Sequence, residues 1–139
     1  KVAILKTMAA LNNDSAIEGY FSLLNSESDP IIKLQLIKNI SSIKDKTNYF
    51  NLAQLEMIRN LILDKNTSLI VRQNLVLLLG DYYLVFPVES SSVWREVYAN
   101  NSLDNISRLF SADNLNHLIK TNLALPEVNP EDWEAYYNK

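Results

Sequence analysis

The sequence predicts an all-α protein built from antiparallel helix pairs that recur about three times along the chain. Three observations predict it. Only two glycines and four prolines interrupt 139 residues, and the apolar residues between breaks recur at three- and four-residue steps. No segment alternates apolar and polar positions long enough to make a strand. Finally, two stretches repeat each other: subtracting Lys33 from Arg72 gives 39, and under that shift Leu23/Ile62, Leu24/Leu63, Ile32/Val71, Leu36/Leu75, Ile37/Val76 and Ile40/Leu79 superpose. A period of about 40 residues carrying two helices belongs to repeat architectures in which neighbours bury a shared core.

The elements follow in order. Val2, Ile4, Leu5, Met8 and Leu11 predict a first helix, which Asn12–Asn13 closes. Asp14 or Ser15 can cap the next, because a short side-chain oxygen accepts an unpaired amide of the first turn. That helix carries Ile17, Tyr20, Phe21, Leu23 and Leu24 and frays over 25–28. Asp29–Pro30 is the firmest boundary, with Asp as cap and Pro at the first helical position, where its fixed φ fits and its missing N–H costs nothing. The helix behind it shows Ile31, Leu34, Ile37, Ile40 and Ile43 on one stripe.

Residues 44–48 read as a polar turn. Asn51 or Leu52 opens a helix ending at Leu63, and Thr67 or Ser68 caps the longest one, over 69–84. Its centre, 75–79, is apolar nearly all round, so it is expected to be interior and covered on every side. Pro87 ends that segment. Shorter helices are expected at 91–99, 103–110 and 113–123. Pro126 and Pro130 then mark an extended stretch before a short acidic, aromatic helix or loose tail at 131–137. The domain division read from this is a helical unit over 1–125 and a C-terminal segment over 126–139. The lack of an initiator Met, with an amphipathic start, suggests a piece of a longer array.

Composition narrows the function classes. With no cysteine, a disulfide framework, a thiolate nucleophile and Cys-based zinc sites are excluded. The net charge of −3 weighs against nucleic acid and anionic membranes as main partners without excluding nucleic acid. No apolar run approaches the ~20 residues that span a bilayer, so an intracellular location, cytoplasmic or nuclear, is expected. His117 is the sole histidine, with Asp113 one helical turn away. That pair lacks the companions a metal or a general base needs. Gly19 and Gly80 fall inside helices, so no phosphate-cradling loop exists and no cofactor is expected. The acids at Glu131, Asp132 and Glu134 read as a solvated face. Enzymatic activity is therefore not expected.

The repeated unit, a first helix ending Leu23–Leu24 or Ile62–Leu63, an Asp-containing turn, then a helix opening on Ile32–Lys33 or Val71–Arg72, resembles the HEAT repeat. The likeness covers about 15–84 well and 103–125 by helix order, with Leu109–Phe110 and Asp113 at the place of a third turn. Residues 71–87 are also similar to repeats of condensin-type chromosome proteins. The resemblance implies an armadillo-like α-solenoid acting as a protein-binding scaffold, within a larger multi-subunit complex in some of its settings. In the family the turn Asp and the basic residue commonly link neighbouring repeats. Partner contacts are expected on the row of second helices, at Lys33, Gln35, Arg72, Gln73 and Asn74. Tyr83 and Trp94 join them from an aromatic group with Tyr82, Phe86 and Tyr98 that either seals a junction between repeats or lines a groove. Three alternatives stand beside this: a nucleic-acid-binding or chromosome-associated repeat module, a compact helical peptide reader and, least favoured, a helical enzyme domain.

Overall fold

The computed structural model describes residues 14–120, with side chains over 14–117. After a 3₁₀ turn (Asp14–Ala16) come seven helices: α1 (Ile17–Ser26), α2 (Pro30–Ser41), α3 (Lys46–Tyr49), α4 (Leu52–Leu63), α5 (Leu69–Tyr83), α6 (Pro87–Ala99) and α7 (Asn105–Lys120). The described chain is all-α. The expected helix at 2–11, the domain boundary at 125/126 and the acidic, aromatic segment at 131–137 lie outside the described residues.

Local chemistry sets the helix starts. Asp29 accepts from the Ile31 amide at 2.9 Å, with Pro30 at the first position of α2. Asn51 and Gln54 form a reciprocal capping box at α4: the Gln54 amide donates to Asn51 Oδ1 at 2.8 Å and the Asn51 amide to Gln54 Oε1 at 3.1 Å. Ser68 caps α5, and Asp104 accepts the Ser107 amide at the start of α7. Pro87 opens α6 instead of merely ending the previous helix, so α6 starts four residues before the expected Ser91.

Sequential helices pack as α1/α2, α4/α5 and α6/α7, and α5 packs as closely on α2, α6 and α7 as on α4. Start-to-end bonds make α4 and α5 antiparallel. Arg72 Nε at the start of α5 donates to Ile62 O at 2.8 Å, and Tyr82 Oη near its end donates to Gln54 Oε1 at 2.8 Å. Ser41 Oγ donates to Asp81 Oδ2 at 2.7 Å, joining the ends of α2 and α5. Arg59 grips Glu96 with two bonds of 2.7 and 2.8 Å, joining α4 to α6.

One core runs through all three pairs. In the second helices Leu36, Leu75 and Ser111 are fully buried, as are Ile40, Leu79 and Leu115, at shifts of 39 and then 36 (75−36, 111−75). In the first helices Ile17, Leu55 and Ser90 correspond, as do Leu24, Ile62 and Val97, at shifts of 38 and then 35 (55−17, 90−55).

Four expectations are corrected. The pairing of Leu23 with Ile62 is one residue out, because Leu23 is 46% exposed while Leu24 and Ile62 are fully buried; the turn after α1 has three residues and that after α4 has five. Residues 46–49 form the short helix α3, capped by Asp45. Residues 105–120 are one helix with no break at Asp113, and Ser111 and Ala112, just before it, are fully buried in the core. And α5 is not covered all round: Leu77 is 49% exposed on a solvent strip with Ile70.

Candidate functional site: the face of α2, α5 and α7

The second helices each turn one stripe to solvent. On α5 it runs through Ile70, Gln73, Asn74 and Leu77. Under the shifts of 39 and 36, Ile31, Ile70 and Ile106 occupy one position, the second residue of each helix, and all three are exposed, at 67, 48 and 49%. The row below is Gln35, Asn74 and Phe110, all half-buried, and the next is Lys38, Leu77 and Asp113, all exposed. An isoleucine this exposed leaves about half or more of its surface in water, and three in register make a ridge rather than scattered surface apolars.

The amides beside the ridge are held by local bonds. Gln35 Nε2 donates to Asn39 Oδ1 at 2.9 Å, and Asn74 Nδ2 donates to Ile70 O at 2.7 Å. Each keeps further donor and acceptor capacity for a backbone laid across it.

Of the residues expected to meet a partner, Gln35, Gln73 and Asn74 lie on this face, whereas half-buried Lys33 occupies the position of Arg72 under the shift of 39, two residues and so about 200° round the helix from Ile31. Arg72 does not present its side chain to solvent. Only 5% of the residue is exposed, and its guanidinium donates to Ile62 O at 2.8 Å, to Asp64 O at 2.7 Å and to Asp104 Oδ1 at 3.0 Å. It thereby satisfies carbonyls that the end of α4 would leave orphaned and ties α5 to the cap of α7. Trp94 is 2% exposed, with Nε1 donating to Val76 O at 3.0 Å and its ring stacked on Tyr83 at 5.9 Å. It holds α6 on α5.

Sequence reasoning missed Arg108. Arg72 and Arg108 are 36 apart, and Arg108 Nε donates to Tyr98 O, as Arg72 does to Ile62 O, ten residues back in both cases. The aliphatic partner that would have advertised it is replaced by Ser107. Ile31, Ile70 and Ile106 were also missed as a set, because Ile106 aligns with the other two only under the shift of 36 that the burial of α7 sets.

Asp104 is the most engaged acid of this region. It accepts from the Ser107 amide (2.9 Å), Ser107 Oγ (3.0 Å) and Arg72, with Gln73 adding a side-chain bond. Burial pushes its pKa up, but these bonds outweigh it and hold the carboxyl below its ordinary value. A group whose folded pKa is depressed contributes stability above its unfolded pKa, near 4 for aspartate, and loses it as pH falls through the lower folded value. Urea unfolding from pH 6 downward should therefore show a steeper loss of stability in the wild type than in Asp104→Asn. Parallel curves would show that the bonds do not favour the ionised form.

Asp113 and His117 both lie on the exposed side of α7. Among the described residues no three His, Cys, Asp or Glu side chains gather as metal ligands would, and no helix is long and apolar enough to cross a membrane.

Fold and face together define an all-α protein with exposed isoleucines at the second residues of α2, α5 and α7. No family model, no curated protein and no solved structure matches the chain.

Proposed function

We propose that this chain is a non-catalytic interaction module, an α-solenoid of HEAT-like pairs that takes a protein segment across the exposed face of α2, α5 and α7. The observation that carries it is the ridge of Ile31, Ile70 and Ile106, exposed at one repeat position. Helices packed side by side lie about 8–10 Å apart, so three such positions offer a ladder roughly 16–20 Å long. Gln35, Gln73 and Asn74 beside it supply bonds for a partner's backbone. The buried linkage of Arg72 to Asp104 supports the stacking, because it joins one pair to the cap of the next. A nucleic-acid reading draws no support from this face, where the row of Lys38, Leu77 and Asp113 sets one cation beside one anion.

A photo-crosslinking residue at Ile70 or Ile106 should capture the same protein species from lysate, while one at Val88, 60% exposed at the start of α6, should not. Ile70→Asp with Ile106→Asp should then weaken the purified complex at least about tenfold, with the melting temperature unchanged. Equal capture from all three positions, or an unaffected complex, would place the interface elsewhere.

A further inference from the structure

The row of first helices carries a second surface of different chemistry. α1 packs on α2, and α4 on α5 and α6, but α1 and α4 make little direct contact. The space behind the gap is filled by Phe50, stacked on Tyr82 at 4.0 Å, with Phe21 edge-on to the same Tyr82 ring at 6.4 Å. What remains is a groove of two continuous stretches of about 410 and 400 Å³, sharing Asn25, Ala53 and Met57. Phe21 and Met57 form its floor. Glu18, Glu56 and Asp64 line its walls, and among the described residues no lysine or arginine does.

Two further features deepen the negative potential. Asn25 from the last turn of α1, and Asn60 with Asp64 from the end of α4, all border the groove, so both helix C-termini face it with their partial negative charge. The opposite partial charge at the start of α4 is quenched by the Asn51–Gln54 capping box. Glu56 is bonded to Arg59 at 3.2 Å, but that arginine also spans to Glu96 on α6 and does not line the groove.

We propose that this groove binds an extended, dibasic segment of a partner protein, one cation near Glu18 and the other near Asp64. From Gln54 to Asp64 the helical rise gives about 15 Å, which an extended chain covers in about five residues at ~3.3 Å each. The matching segment thus carries Lys or Arg four to five positions apart, with an apolar residue between them for Phe21 and Met57. The site lies on a different row of helices from the isoleucine ridge and does not depend on it.

The test is fluorescence anisotropy with the full chain and a labelled octapeptide of Thr and Val carrying Lys at its second and sixth positions, beside the same peptide with Glu at both. The dibasic peptide should bind saturably and the diacidic one should not. Glu18→Gln with Asp64→Asn should weaken binding at least about fivefold, and high salt should weaken it further. Ile70→Asp should leave it unchanged, and unaltered urea midpoints would show that the variants are folded. No saturable binding below about 1 mM, indifference to peptide charge, or full affinity in the double variant would overturn the proposal. Abolition of peptide binding by micromolar Ca²⁺ would overturn it in favour of a cation site.

Discussion

Replacing Arg72 with Ala is expected to lower the unfolding free energy by about 3–5 kcal/mol, the cost of breaking a buried ion pair from one side. The reasoning rests on what is left behind. Without the guanidinium, the Ile62 and Asp64 carbonyls lose their donors, and Asp104, whose side chain is 16% exposed, keeps a charge with one cation fewer. Each orphaned buried acceptor costs about 1–3 kcal/mol. Because domains of this size are stable by only about 5–15 kcal/mol, such a loss brings the protein close to unfolding. Arg72→Lys should recover little, since an ammonium cannot reach three acceptors with the planar fork of arginine. Urea unfolding followed by far-UV circular dichroism checks this. A loss under about 1 kcal/mol for Arg72→Ala would mean that the three bonds merely replace hydration.

Trp94→Ala should cost a similar amount, about 3–5 kcal/mol, by a different route. The indole is almost wholly buried between α5 and α6, and its deletion opens a cavity, removes the stack on Tyr83 and withdraws the donor to Val76 O. Trp94→Phe should keep most of the contact area and cost about 1–2 kcal/mol, chiefly the hydrogen bond and the smaller ring. In a Trp133→Phe background the remaining emission should resist acrylamide quenching until the protein unfolds. Free quenching in the native state would show α6 to be loosely held.

The two expectations place Arg72 and Trp94 inside the protein, and that difference shows what the sequence could and could not carry. The second helices were legible because their starts are written in cap chemistry, Asp29–Pro30 and Ser68, and because aliphatic residues mark their cores at a constant shift. The first helices were read one residue out. Leu23 and Leu24 look alike in sequence, and only the different lengths of the two turns decide which of them faces inward. The third pair was hidden because its core uses Ser107, Ser111 and Ala112 where the second uses Val71, Leu75 and Val76. Small side chains fill a close helix contact as well as large ones fill a wide contact, but they leave no hydrophobic trace.

The exposed face was half legible. Its amides follow from helical periodicity alone. Arg72 was misplaced for a general reason: an arginine reads as solvent-facing until the carbonyls that receive it are known, and those lie at the end of another helix. The isoleucine ridge needed the register of the third pair, which was the part of the repeat the sequence disguised.

The nearest-neighbour character of the pairs also bears on how fast this chain finds its fold. A side-chain bond as distant in sequence as Ser41 to Asp81 spans 40 residues, one repeat. Closing loops of that length costs little more entropy than closing shorter ones, because the penalty grows only with the logarithm of length. Helical proteins dominated by such local closures fold in microseconds to milliseconds. Because α5 packs on α2, α4, α6 and α7, any one of these contacts can form first and leave α5 in place for the others.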